Sequence, residues 1–474
     1  MRDLAYLKLL SREYPNIRAA ASDIINLQAI CGLPKGTEYF FSDLHGEHEA
    51  FIYLLRSSSG IIREKIRETF GHIISEEDEV RLANLIYYPE KMINQIKQAN
   101  EYTEEWQKTA VYRLVQICRE VSSKYTRSKV RKKMPREFSG VIDELLYVDN
   151  TDDNKTEYYS ELINTLIDVR VADSFIVVIC SLIRSLTIDN LHILGDIFDR
   201  GPRPDIILEE LMHFHDVDIQ WGNHDISWMG AATGNRACIC NVLRMALGYN
   251  GFDVLEDGYG INLRPLSMFA ERVYRDDPCT CFLPQILDKN IYDAVDPKLA
   301  AKMHKAIAVL QYKEEGQIIK RHPEYGMEER ILLSAIRYDR GTVTIDGKEY
   351  PMRDMNFPTV DPADPLRLTD EEEELLHTLE LSFRHNTRLH EHVRFLYSNG
   401  SMYKCCNSNL LYHGCIPMTE NREFDGLMVG GKMYRGKELM DFIDTQVKNA
   451  YFLPEDAPEK EACRDFMWYL WNGA

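Results

Sequence analysis

The chain has 474 residues, 45% of them apolar, and a formal charge of -19 from 75 acidic and 56 basic side chains. That length and apolar content bury a large core in one elaborated domain or two to three lobes, which excludes a disordered protein. The acidic excess argues against nucleic acid or an anionic membrane as partner, because both require clustered Lys and Arg.

From the N-terminus, Met1-Arg2-Asp3-Leu4-Ala5-Tyr6 lacks the apolar stretch and small-residue cleavage pattern of a secretory signal. Residues 1–61 are expected to begin the core: Glu38-Tyr39-Phe40-Phe41 reads as a strand entering Ser42-Asp43-Leu44-His45, and Glu47 to Leu55 has helical spacing. Residues 62–169 read as a helical insertion, with charged helix-period segments from Glu79 to Ala99 and Glu104 to Ser122. Its basic stretch (Arg127, Lys129, Arg131, Lys132, Lys133, Arg136) reads as a solvated helix end, with an anion or regulatory-ligand site as the alternative.

Residues 170–232 return to the core. The longest apolar run, Phe175 to Ile183, is too short to span a bilayer. Asn190 to Leu194 leads into the Gly195 loop and a helix from Pro204 to His213, and Val217 to Trp221 leads into Gly222-Asn223-His224. Repeated strand-loop-helix units imply an α/β core with helices on the sheet faces. Residues 233–368 form a second, mixed insertion, in which Asp346-Gly347 between Thr342 and Tyr350 signals a hairpin. In the last segment, 369–474, Thr369 and Glu372 form a capping box opening a helix toward Phe395; Ser401–Lys404 and Asn409–Tyr412 then read as paired strands that deliver His413.

Eleven cysteines are too sparse for a disulfide scaffold and fit a reducing, cytoplasmic setting. Cys238-Ile239-Cys240 and Cys279-Thr280-Cys281 are spaced more tightly than zinc motifs usually are, so buried or surface thiols are the better reading.

Four separated motifs carry chemistry: Asp43-Leu44-His45-Gly46, Gly195-Asp196-Ile197-Phe198-Asp199-Arg200-Gly201, Gly222-Asn223-His224-Asp225 and Tyr412-His413-Gly414. An Asp-x-His or a Gly-Asn-His alone is as readily structural. The Gly-Asp-x-x-Asp-Arg-Gly run is far more specific, and all four in this order read as a two-metal phosphoesterase. Two divalent cations roughly 3.5–4 Å apart activate water and clamp phosphate oxygens, which requires a bridging carboxylate. Asp196 is the natural bridge, with Asp43 and His45 completing one metal site and Asn223 and His413 the other. Mixed carboxylate, amide and imidazole ligands suit manganese, iron or zinc better than calcium. His224 is the expected proton donor to the leaving alkoxide, Asp199 its orienting carboxylate and Arg200 the bidentate phosphate ligand. His192, His213, His215, His385, His390 and His392 read as core or surface residues, although Arg384, Arg388 and Arg394 on the last helix could place a cation near substrate.

These motifs resemble those of the calcineurin-like metallophosphatase superfamily and, more closely, of the bacterial class III fructose-1,6-bisphosphatases. The resemblance extends from Tyr39 through Glu47, from Gly195 through Pro204, from Trp221 through Ile226 and from Tyr412 through Pro417. It implies a β-sandwich flanked by helices, two divalent metal ions with manganese favoured, and hydrolysis of the C1 phosphate of fructose 1,6-bisphosphate in gluconeogenesis. Asp43, His45, Asp196, Asn223 and His413 carry over as ligands and His224 as general acid. The implied partner is the sugar bisphosphate alone, with no nucleic acid or membrane, and the expected state is a homo-oligomer. The family continues beyond the equivalent of Trp471 into a Gly-His segment with a further metal-binding histidine. This sequence stops at Ala474, so weakened metal affinity and poor activity are expected. A phosphatase for phosphoproteins or nucleotides, or an inactive fragment, is the alternative.

Overall fold

Hydroxyl caps and prolines, more than intrinsic propensity, set where the helices of this chain begin. In the computed structural model, which describes residues 4–71, 73–147, 153–285 and 296–473, Ser75 accepts from the Asp78 N–H, Thr103 from Trp106 and Thr126 from Lys129. Each cap satisfies a donor that the first helical turn leaves without an intrahelical partner. The segment expected as one helix from Glu79 to Ala99 is two, Glu76–Tyr87 and Pro89–Gln98, because Pro89 cannot donate into a continuing helix but suits a first position.

The chain divides into two compact units. The first comprises Met1–Tyr39 and Tyr53–Asn190, so the helical body is longer than the 62–169 insertion drawn from sequence. Its core sets Val111, Leu114, Val115 and Cys118 of helix Glu104–Ser122 against Phe175, Ile176, Ile179 and Ile183 of helix Ala172–Thr187, all fully buried. The apolar run at Phe175 is thus a core helix. Three of the six residues of the basic stretch pair within the unit: Lys133 reaches Asp189 at 2.9 Å, Lys129 also binds Asp189, and Arg131 holds Asp143 with two parallel bonds of 2.9 and 2.7 Å. Arg127, Arg131, Lys132 and Arg136 are exposed, as expected of a solvated helix end.

The second unit comprises Phe40–Ile52 and Leu191–Ala474. In chain order the strands are β1 (Glu38–Phe41), β2 (Asn190–Ile193), β3 (Val217–Gln220), β4 (Ile336–Arg337), β5 (Thr342–Ile345), β6 (Lys348–Pro351), β7 (Gly400–Ser401), β8 (Tyr403–Cys406), β9 (Asn409–Tyr412), β10 (Gly426–Val429) and β11 (Lys432–Arg435). One four-stranded sheet runs β1-β2-β3-β7, with β2, β3 and β7 parallel. The fold is mixed α/β, and the other described strands form two- and three-stranded ribbons. Ligand sites of parallel sheets lie beyond the carboxyl ends of the strands, where the loops after β1, β2 and β3 emerge.

Asp346 and Gly347 both take positive φ (49° and 72°) and join β5 to β6 in the expected hairpin. Thr369 and Glu372 form the expected capping box. The helix they open ends at Arg384, and Asn386 caps a new one, Thr387–Asn399, where a single helix toward Phe395 was expected. Ser401 belongs to β7, pairing with Gln220 of β3, so only β8 and β9 form the hairpin before His413. No described helix is long and apolar enough to cross a membrane.

Helix Pro297–Arg321 carries two fully buried lysines. Lys305 bridges Asp277 and Asp354 at 2.6 Å each, and Lys313 binds Glu372 at 2.6 Å and the Thr359 carbonyl at 2.7 Å. Removing one partner of such a pair strands a charge in a low-dielectric interior. Lys313→Met should therefore destabilise the protein by about 3–5 kcal/mol, read as a fall in the denaturant midpoint. An unchanged midpoint would show that Glu372 does not depend on Lys313.

Candidate active site

The loops after β1 and β2 are zipped together by main-chain hydrogen bonds beyond the strand ends. Leu194 donates to Phe41 (2.6 Å), Asp43 to Gly195 (3.1 Å), His45 to Asp196 (2.8 Å), Gly46 to Ile197 (2.8 Å) and Gly201 back to His45 (2.8 Å). The approach demands glycine: a Cβ on Gly46 would sit 2.6 Å from the Gly201 oxygen, and one on Gly201 2.2 Å from the His45 oxygen. Asp43, His45, Asp196, Asp199 and Arg200 all take positive φ, between 42° and 70°. Such backbone costs about 1–3 kcal/mol per residue and persists where the surroundings over-determine it, often at functional sites.

Those loops converge on the Asp196 carboxylate, which is buried. Its Oδ2 lies 3.4 Å from His413 Nε2 and 3.9 Å from His45 Nε2, and His45 Nε2 is 4.0 Å from Asp43 Oδ1. Both imidazoles are oriented from behind: His45 Nδ1 is 3.0 Å from the Phe198 carbonyl and His413 Nδ1 2.6 Å from that of Leu194. A carbonyl accepts only, so each Nδ1 carries a proton and each Nε2 faces Asp196, the orientation that lets an imidazole serve as a ligand once Nε2 is deprotonated. The donor set fits divalent cations. Ligand atoms group as Asp43, Asp196 and His413, and as His45, Asp196 and His224, in each case within 4.8 Å of one another. Asp43 and His45, expected to share one cation with Asp196, are 4.0 Å apart at Oδ1 and Nε2. Asn223 is half-buried and opens helix Asn223–Ala232 directly after Gly222, where a Cβ would lie 2.1 Å from Asp196 Oδ1.

His224 is buried beside this group, its ring 4.9 Å from that of His45. Its Nδ1 is 2.7 Å from Asp199 Oδ2, while Asp199 Oδ1 accepts from Trp228 Nε1 at 2.8 Å, so both oxygens of the orienting carboxylate are engaged. Arg200 is exposed, and its charge helps hold the His45 pKa down, although burial is the larger cause.

Sequence reasoning missed three contributors. Asp225 is fully buried and accepts the N–H groups of Gly222 (2.9 Å), Asp196 (2.9 Å) and Ile197 (2.8 Å), tying the β3 loop to the β2 loop. Its place three residues after Gly222 is the reciprocal position of a capping box, a signal that could have found it. Trp228, one helical turn after His224, was legible by spacing alone. Trp471 meets the His224 ring edge-on at 4.7 Å and has no local sequence signal. The histidines read as structural are so placed where hydrogen bonds are seen: His192 binds Asp218 at 2.8 Å, and His392 lies 3.0 Å from Tyr259 Oη, with burial pulling its pKa down to about 4. Arg388 is held by Asp205 and Glu209. All eleven cysteines are free thiols, with Cys238 and Cys240 buried.

Residues 5–474 match the family described as Firmicute fructose-1,6-bisphosphatase. The chain belongs to that family. It is 52% identical over 471 residues to the class 3 fructose-1,6-bisphosphatase of Clostridium tetani, and 50% identical over 472 residues to those of Clostridium novyi and Bacteroides fragilis. The alignments cover 99–100% of this chain and 71% of each relative. No solved structure matches it.

Electrostatics in this family member's site give a sign for metal uptake. Burial alone would raise the Asp196 pKa, but the hydrogen bond from His413 and the charges of His224 and His413 win and lower it. Its partner His413 is pushed up to about 9, chiefly by that hydrogen bond. With no cation bound, His413 is thus protonated at neutral pH and must release its proton to become a ligand. Apparent affinity for manganese should rise from pH 7 to 9 and flatten above, with proton release visible by calorimetry in buffers of different ionisation enthalpy. A pH-independent affinity would remove His413 from the ligand set.

Proposed function

We propose that this chain hydrolyses the C1 phosphate of fructose 1,6-bisphosphate to give fructose 6-phosphate and phosphate, using two divalent cations, with manganese the favoured metal. The observation that carries the reading is the Asp196 carboxylate between two imidazoles, each locked from behind by a backbone carbonyl. Family membership supplies the substrate. Asp43, His45, Asp196, Asn223 and His413 would hold the cations, which when bound supply a water acidic enough to ionise near neutral pH and offset the charge around phosphorus.

The chain's own residues do the rest. Arg200, on its strained loop at the exposed mouth, binds the phosphate with two parallel donors. His224, oriented by Asp199 through Nδ1, gives the proton on Nε2 to the departing C1 alkoxide. Trp471 packs edge-on against that ring, and Trp228 holds the Asp199 oxygen that His224 does not use. The four-stranded sheet and the β8–β9 hairpin that ends at His413 are read as the core of the metallophosphatase sandwich.

The free thiols support a cytoplasmic location. Self-association is supported by helix Ile17–Cys31, which has no buried residue and leaves Ile17, Ile24 and Ile25 at least 62% exposed.

Phosphate release from fructose 1,6-bisphosphate, assayed with and without manganese beside a nucleotide and a phosphopeptide, tests the reading. Release should depend on the metal and favour the sugar bisphosphate. Asp196→Asn should abolish turnover, whereas His224→Asn should lower kcat by about 10²–10⁴ with manganese still bound. Turnover of the nucleotide or phosphopeptide at equal kcat/KM, or a fully active Asp196→Asn variant, would refute it.

A further inference from the structure

A cavity rich in basic side chains lies at the other end of helix Asn223–Ala232 from the metal motifs. Ala232 and Thr233 line it, and nine steps of helix at ~1.5 Å each put it about 14 Å from Asn223. Its volume is about 440 Å³. The cations on its wall are Arg384, Arg394, Lys460 and Arg464, and the only carboxylates are Glu391 and Glu455, an excess of two positive charges in a chain whose formal charge is -19.

Glu455 serves three of those cations, Lys460 at 2.9 Å, Arg464 at 2.9 Å to both oxygens and Arg384 at 3.4 Å, and Glu380 also holds Arg384 at 3.3 Å. Arg394 is exposed and makes no ion pair among the described residues. Two further polar atoms of the wall, His390 Nε2 and Arg464 Nε, are buried without a hydrogen-bond partner. Natural proteins seldom leave buried donors unmatched, so a group bearing several acceptor oxygens fits this wall.

We propose that this cavity binds the phosphate group of a small phosphorylated molecule, separately from the catalytic centre. A phosphate accepts from Arg394 and Arg464, meets the buried His390 edge and shares with Glu455 the cations of Lys460 and Arg464. Arginine suits the task because its planar fork matches phosphate oxygens. The distance from Asn223 is too long for the two phosphates of one hexose to occupy both places, so the ligand is a second molecule.

Calorimetric titration of inorganic phosphate into the full chain, stripped of metal, tests this. Stripping the metal removes the cations that would hold phosphate at the catalytic centre, and the response of the remaining binding to Arg394 and Glu455 substitutions assigns it to the second cavity. Arg394→Glu should weaken phosphate binding by about tenfold or more, and Arg394→Gln by a smaller factor. Glu455→Gln should tighten it by about threefold, because the competing carboxylate is gone. Thermal melts of the variants confirm that the fold is retained, and Arg394, exposed and without an ion pair, can be replaced without disturbing it. No phosphate binding by the metal-free chain, an affinity indifferent to Arg394→Glu, or weaker binding by Glu455→Gln would overturn the proposal.

Discussion

Three backbone N–H groups held by one buried carboxylate organise the site. Asp225 accepts from Gly222, Asp196 and Ile197, so the loops after β2 and β3 are pinned to one point and the Asp196 side chain emerges from a fixed backbone. Burying an ionised carboxylate is costly unless its lone pairs are matched. The three donors offset part of that cost; burial, with the nearby Asp196 charge, still pushes the Asp225 pKa up to about 6. Cations at Asp196 would relieve that repulsion, which couples the rigidity of the loops to occupancy of the site.

The rest follows from bringing two loops closer than ordinary residues allow. Glycines at 46, 201 and 222 clear the space that a Cβ would block, and Asp43, His45, Asp196, Asp199 and Arg200 accept left-handed backbone so that their side chains converge. The sheet supplies the anchor: β2 and β3 contribute fully buried Leu191, Ile193 and Ile219, so the loops spring from a base that cannot shift without opening the core. His413 arrives from the β8–β9 hairpin, and its Nδ1–H donates to the Leu194 carbonyl at the end of β2. Distant parts of the chain thereby meet at one carboxylate.

Much of this was legible in the sequence because it is local. Strand-loop-helix punctuation placed β1, β2 and β3, Asp346-Gly347 placed a hairpin, and Thr369 with Glu372 placed a helix start. The reading failed where a short-range breaker opposed a long-range period: Pro89 divides one expected helix, and Asn386 caps a new helix within another. At the site, the motif residues were named from their own types and order. How near they come to one another depends on loop twist and not on spacing: His413 lies 3.4 Å and His45 3.9 Å from the Asp196 carboxylate. Trp471 could not be found at all, since its contact with His224 spans 247 positions of sequence and is made only by folding.

The central claim is that Asp196 bridges two cations. Anomalous diffraction from crystals grown with manganese tests it most directly. The account predicts two peaks flanking the Asp196 carboxylate, about 3.5–4 Å apart, one beside His45 and the other beside His413. A single peak, or peaks that leave Asp196 without a metal, would contradict it.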